Sequence, residues 1–259
     1  MRLEKIQKSF PILSIIIPTK NGEQFISDAL QSVIDQNYPN LEVIVVDGAS
    51  TDKTVDIVKG FIERYPFITL VSEADSGQSQ AMNKGLKLAS GEIVGFLNDD
   101  DYYSKNIFEE VMKLFSLSTQ PSLFIGNCYS YNLESKTVSL QKPSLIGIEY
   151  PLLGVQFHPV NSSQYFYHKS VHDIIGCFPE DEHFSMDLWF YLECCISKKI
   201  KTKYVDHNWG NFRLYPGTKT FDNRDLTGIM KRARRKYCSK FRIVPTLHAV
   251  LLRLVKKFS

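Results

Sequence analysis

The chain has 259 residues, 43% hydrophobic and 23% charged, with a formal net charge of +3, an ordinary globular composition that excludes collagenous, low-complexity and disulfide-stapled scaffolds. Five cysteines, at 128, 177, 194, 195 and 238, show no CxxC spacing, and adjacent Cys194 and Cys195 would make a strained bridge, so they read as reduced thiols of a cytosolic protein. No run reaches the roughly 18 apolar residues of a membrane-spanning helix, and MRLEKIQKSFPILSIII is unlike a secretory leader, which points to a cytoplasmic chain, soluble or peripheral at the membrane face.

Along the chain, ILSIII (12–17), EVIVVD (42–47), FITLVS (67–72) and EIVGFL (92–97) are short apolar runs rich in β-branched residues, as buried parallel strands are. Between them Ile26, Ala29, Leu30, Val33 and Ile34 recur at helical spacing, as do Val55, Val58 and Ile62, and 76–89 is a less regular helix. Asp47 to Asp52 is a polar turn in which Ser50 or Thr51 is placed to cap the second helix. Strands this close in sequence and separated by helices run parallel, so the class is α/β, a doubly wound sheet with helices on both faces. In the order 3-2-1-4, the crevice opens where the first and fourth strands end, at Pro18 to Asn21 and at Asn98 to Asp101. Further on, LFIGNC (123–128) and YFYHK (165–169) read as strands, 182–198 as a helix, and 206–225 as a loop.

Three consecutive carboxylates in LNDDDYY (97–103) repel one another unless a cation compensates them. Mg²⁺ or Mn²⁺ does so economically, taking one or two protein carboxylates and completing its shell with substrate phosphates; an acidic turn that only caps the next helix is the alternative. PTKNGEQ contains one glycine, so neither GxGxxG nor a Walker loop is supported, and neutralising phosphate falls to a metal acting as Lewis acid. Six scattered histidines give no zinc spacing, and no GxSxG or Cys-His arrangement marks a covalent nucleophile.

SIIIPTKNGEQFISDALQSVIDQNYPNLEVIVVDGASTDKT resembles the amino-terminal signature of inverting family 2 glycosyltransferases; EADSGQSQAMNKG resembles their donor segment, and GEIVGFLNDDD their DxD region. The likeness continues more loosely through GCFPED, SMDLWFYL and NFRLYPGTKT, about 200 residues in all. It implies a GT-A fold with a mixed sheet, and a metal-dependent hexosyl transfer from a nucleotide-diphosphate sugar, a UDP-sugar favoured, to a glycan or lipid-linked acceptor in surface polysaccharide assembly. Carried over, it puts Pro18 and Thr19 in the nucleotide pocket, Asp47 on the base, and Asp75 and Lys84 near ribose and phosphates, with Glu23 supporting. The alternative for Asp47 is only a turn with Gly48, and for Asp75 and Lys84 a solvated surface charge. Asp100 is the principal metal ligand and Asp99 the next, while Asn98 supplies an uncharged acceptor; the register of the motif stays open between 98–100 and 99–101. Asp187, opening a helix, is the general base for the acceptor hydroxyl, with a plain dipole-favouring acid as the alternative. Arg213 or Lys219 supplies positive charge from a closing loop. Ser162 and Ser163 stand where relatives often carry His-Gln.

Ten of the 31 cations fall after residue 230, where there is no acid, so residues 1–230 carry 21 cations against 28 acids. This basic tail, with an apolar stripe of Leu247, Val250, Leu251, Leu254 and Phe258, suits an anionic membrane surface better than nucleic acid; a helix docked on its own domain is the other reading. The expected organisation is a glycosyltransferase domain over 1–225, with a nucleotide-binding half to about 103 and an acceptor half from 104, then the tail over 226–259. A sugar-nucleotide-forming nucleotidyltransferase and an inactive binding module remain as competing functions.

Overall fold

The structure, a computed structural model, describes residues 11–118, 121–143, 160–181, 186–218 and 221. Its frame is a nine-stranded sheet in which the third, second, first and fourth strands of the chain lie side by side, followed by the eighth, sixth, ninth and fifth, with the seventh paired to the sixth. β1 (Leu13–Thr19), β2 (Leu41–Asp47), β3 (Ile68–Ser72) and β4 (Ile93–Phe96) are mutually parallel. The helices α1 (Ile26–Ile34), α2 (Thr54–Ile62) and α3 (Gln78–Leu88) connect them. These elements match the expected ones to within two residues, because β1, β4 and most of β2 are buried on both faces and each helix has one apolar stripe.

Alternation along β1 explains the layering. Leu13, Ile15 and Ile17 join Ala29, Leu30 and Val33 of α1, Val58 of α2 and Phe108 of α4 (Ile107–Ser116) in one core. Ile16 points the other way, into a core with Ala81, Met82 and Leu86 of α3 and Leu188 and Tyr191 of α6 (Met186–Ile196). On that second face Gly85 is what lets α3 lie on β1, since a Cβ there would sit 2.3 Å from Ile16 Cγ2.

Beyond β4 the sheet becomes mixed. β8 (Tyr165–His168) runs antiparallel to β4 and to β6 (Ser122–Asn132), which carries the edge hairpin strand β7 (Thr137–Gln141). β9 (Lys201–Leu214) is parallel to β6, and the two-residue β5 (Tyr102–Tyr103) is antiparallel to β9. α5 (Val171–Ile175) follows β8.

Three expectations are corrected. Residues 206–214 are strand rather than loop: β9 is half-exposed and polar, so no apolar run announces it, and its pairing with β6 slips twice around Asn127. α2 is capped by neither Ser50 nor Thr51; Asp52 Oδ1 accepts from Thr54 N at 3.0 Å and Glu23 Oε2 from Lys53 N at 2.9 Å. The helix expected over 182–198 ends at Ile196, and 182–185 lie outside the described residues, as do Lys219 and the basic tail. No helix among the described residues is long and apolar enough to cross a membrane.

Candidate active site

A cleft of about 550 Å³ opens at the carboxyl ends of β1 and β4. Its walls include Pro18, Thr19 and Lys20 after β1, Asp75, Gly77 and Gln78 before and at the start of α3, and Asn98, Asp99 and Asp100 after β4. The far wall is Val160, Asn161 and Ser162, then Met186 and Asp187 at the start of α6, and Phe212, Tyr215, Gly217 and Thr218 from the end of β9 onward. Of the residues singled out from sequence, Pro18, Thr19, Asp75, Asn98, Asp99, Asp100 and Asp187 therefore share one cavity.

The two lips touch. Thr19 Oγ1 donates to Asp99 Oδ2 at 2.5 Å, which the adjacency of β1 and β4 makes possible. Gly22 permits the approach, because a Cβ there would lie 2.3 Å from Asp99 Oδ2. Burial, opposed by that hydrogen bond and reinforced by the Asp100 charge, pushes Asp99 up to about 6. Asp100 is likewise raised by burial, and its Oδ2 accepts from Tyr215 Oη at 3.2 Å.

Asp101 behaves differently. It is fully buried, does not line the cleft, and accepts from Asn98 Nδ2 at 2.9 Å, Asn161 Nδ2 at 2.8 Å and Arg213 N at 3.1 Å. Burial and the Asp100 charge push its carboxyl up to about 8 despite these donors. The third acid thus fastens the acidic turn to the 161 segment and to β9, and Asp99 and Asp100 are the pair left to the cavity. Asn98 spends its Oδ1 on Gln78 Nε2 at 2.9 Å and its Nδ2 on Asp101.

Asp187 sits in the first turn of α6, where an acid is favoured by the helix dipole. It also faces the cleft, and Tyr165 Oη donates to its Oδ1 at 2.6 Å. Burial holds the Tyr165 phenol protonated, so it acts as a fixed donor that orients the carboxylate.

Four expected site residues lie outside the cavity. Asp47 is fully buried in its own turn, accepting from Ser50 N, Ser50 Oγ and Ser72 Oγ, the last at 2.6 Å. Lys84, on α3, reaches Glu73 at 3.0 Å and Ala74 O at 3.2 Å in the segment before Asp75. The Glu23 carboxylate is the α2 cap described above. Arg213 is locked under the acidic turn: its Nη1 donates to Asp100 O at 2.8 Å, its Nη2 to Asp28 Oδ2 at 2.7 Å, and its guanidinium lies 4.6 Å and 4.7 Å from the Phe25 and Tyr102 ring centroids. Its charge is committed to Asp28 and two aromatic faces, and it braces the Asp100 backbone from below.

Sequence reasoning passed over Gln78, Asn161, Phe212 and Tyr215 as lining residues. Gln78 was findable from its place at the start of α3, beside the crevice; Asn161 and Tyr215 lie in segments with no periodic pattern to place them.

Among the described residues no group of three or more His, Cys, Asp or Glu side chains converges as a metal cage. Two crowded carboxylates of raised pKa, open to a cavity, nonetheless fit a hard cation that shares its shell with phosphate oxygens.

The model of glycosyl transferase family 2 matches residues 14–178. An uncharacterized glycosyltransferase of Escherichia coli K12, YibD, is 25% identical over 260 residues, covering 91% of this chain and 75% of the relative. The minor teichoic acid biosynthesis protein GgaB of Bacillus subtilis is 36% identical over 113 residues, covering 42% of this chain and 13% of GgaB. The next relatives after YibD are likewise matched over only part of their length, from 17% to 53%. Among solved structures, Staphylococcus aureus TarS 1-349 in complex with UDP-GlcNAc superposes with a TM-score of 0.61 at 22% identity, covering 82% of this chain and 61% of that one. The mannosyltransferase PcManGT of Pyrobaculum calidifontis, in complex with GDP-Man and Mn²⁺, gives 0.58 at 23% identity, covering 83% and 59%. Both likenesses identify the fold as GT-A.

Proposed function

The chain belongs to glycosyl transferase family 2, and from that premise we propose that it transfers a monosaccharide, with inversion, from a nucleotide-diphosphate sugar to the hydroxyl of a glycan or lipid-linked acceptor. One observation carries the reading: a single cavity is walled at one side by Thr19 and Asp75, along its floor by Asp99 and Asp100, and opposite by Asp187. The nucleotide lies along Pro18, Thr19 and Asp75. Asp100 and Asp99 would hold a divalent cation, Mg²⁺ or Mn²⁺, which when bound would supply Lewis-acid stabilisation of the leaving diphosphate. Asp187, oriented by Tyr165, accepts the proton of the acceptor hydroxyl as that oxygen forms its bond to the anomeric carbon and the bond to diphosphate breaks. The family premise and the Asp99 and Asp100 pair support the cation; the complex of PcManGT with Mn²⁺ and GDP-Man points the same way.

A UDP-sugar is favoured as donor, supported by the TarS complex with UDP-GlcNAc, and surface polysaccharide assembly as setting, supported by the likeness to GgaB. The transferase unit is read as 1–225, with residues 226–259 held at anionic lipid by their cations. Removing 231–259 should weaken sedimentation with phosphatidylglycerol vesicles, and unchanged sedimentation defeats that part.

The test of the whole is release of UDP or GDP from a panel of nucleotide sugars, with Mn²⁺, with Mg²⁺ and with chelator. Metal-stimulated release of one nucleotide is expected. Pyrophosphate release from a nucleoside triphosphate and sugar phosphate would instead select the nucleotidyltransferase, and no release from any donor the inactive module.

A further inference from the structure

We infer that Ser162 is a specificity-determining contact of the cleft, its hydroxyl hydrogen-bonding a hydroxyl of a bound sugar; this rests on the glycosyl-transfer reading above. The segment that carries it is a tightly satisfied 3-10 turn over Ser162–Gln164, closed by a capping box from Asn161. Asn161 Oδ1 accepts from Ser163 N at 2.8 Å and Ser163 Oγ at 2.6 Å, while its Nδ2 donates to Asp101. Gln164 Oε1 accepts from Val160 N and Asn161 N, and its Nε2 donates to Gly126 O and Gln141 O. Every polar side chain of the turn is thus spoken for except one. Ser162, 3% exposed, holds a buried Oγ with no hydrogen-bond partner.

Buried hydroxyls are seldom left unmatched, because the water they give up is not replaced. Two other such atoms occur among the described residues, Thr202 Oγ1 and Asn208 Oδ1, both on β9 and neither on a residue that lines the cleft. Ser162 does line it, on the wall that also holds Met186 and Asp187. The turn runs straight into Tyr165, which orients Asp187, so the Ser162 wall and the proposed base are set by one piece of backbone.

The chemistry of that wall selects the ligand. Val160, Asn161, Ser162 and Met186 bring no cation, whereas Lys20 lies on the β1 lip. A phosphate would find no counter-charge here. A hydroxyl that both donates and accepts matches the serine, and apolar Val160 and Met186 suit the carbon face of a sugar ring. The hydroxyl can belong to the transferred sugar or to a sugar of the acceptor, and the experiment separates them.

The full chain and its Ser162→Ala variant are compared with UDP, UDP-GlcNAc, UDP-glucose, UDP-galactose and GDP-mannose, using whichever donor the unaltered protein turns over. If the donor sugar is the partner, the variant binds the bare nucleotide within about twofold of the original but loses about tenfold in calorimetric affinity for the nucleotide sugar. If the acceptor is the partner, both affinities hold and kcat/KM for transfer to octyl glycosides falls about tenfold, while hydrolysis of the donor by water is unchanged. In either case the variant melts no lower, and about 2 °C higher, since it removes an unmatched buried polar group. The inference is overturned if nucleotide-sugar affinity and transfer both stay within twofold. It is equally overturned if melting temperature and bare-nucleotide affinity drop together, which marks a merely structural serine. Failure of the unaltered protein to use any donor defeats the transfer reading itself and takes this inference with it.

Discussion

The sheet has two unlike halves. From β1 to β4 it is parallel, buried on both faces except at the edge strand β3, and paired in register without a break; from β5 to β9 it is mixed, with an exposed edge hairpin and a slipped register between β6 and β9. The first half makes a lip whose shape is fixed by regular backbone. The second makes its lip from a polar clasp, in which the Asp101 carboxylate takes hydrogen bonds from the Asn161 side chain and the Arg213 backbone N–H. A cleft built this way has one side set by packing and another set by hydrogen bonds, so substitutions on the two sides should fail differently.

The largest effect is expected on the clasped side. Asp187→Asn should lower kcat by about 10²–10⁴-fold while the nucleotide sugar still binds; calorimetry beside turnover checks it, and full activity would move the base elsewhere. Next comes the floor shared by both halves. Asp100→Ala should cost about 100-fold in cation-dependent UDP affinity, with cation-free binding unaltered, and an unchanged titration with Mn²⁺ would erase the distinction between floor and wall.

Smaller, but specific to the clasp, is its response to pH. The Asp101 carboxyl has an ordinary value of 3.8 when unfolded and about 8 when folded, so the folded state holds its proton more tightly. Its contribution is full below the unfolded value and declines as pH rises through about 8. The melting temperature should fall by about 5 °C between pH 6 and pH 8.5 in chelator. Asp101→Asn should flatten that slope while lowering stability by about 1–3 kcal/mol, because the amide cannot satisfy all three donors. A slope that survives the substitution would assign it to another group. The smallest effect belongs to Lys84→Ala, which removes a partly exposed pair with Glu73 and should leave both stability and nucleotide binding within about twofold; a large loss of UDP affinity would bring Lys84 back to the cleft.

The same contrast governs what the sequence disclosed. Strands such as LSIIIPT and LEVIVVD announce themselves because burial on both faces demands unbroken apolar runs, and the 3-2-1-4 order common to doubly wound sheets is the order found. That order places Thr19 opposite the acidic triplet. β9 was misread because KTKYVDHNWGNFRL is half-exposed and takes its shape from β6 rather than from its own pattern. Asp47, Lys84 and Arg213 were assigned by resemblance, and each proves satisfied by a nearer partner: a serine pair, a glutamate and an aspartate. Charge alone in a motif does not reveal whether a neighbour has already claimed it.

Arg213 is gripped on four sides, by Asp28, the Asp100 carbonyl and the rings of Phe25 and Tyr102. Anything beyond it in the chain is therefore tethered to a fixed post. At the full stretch of about 3.6 Å per residue, Gly217 travels no farther than about 14 Å from that post. The turn at 215–218 is on a short leash, kept beside Asp100 by the Tyr215 hydroxyl.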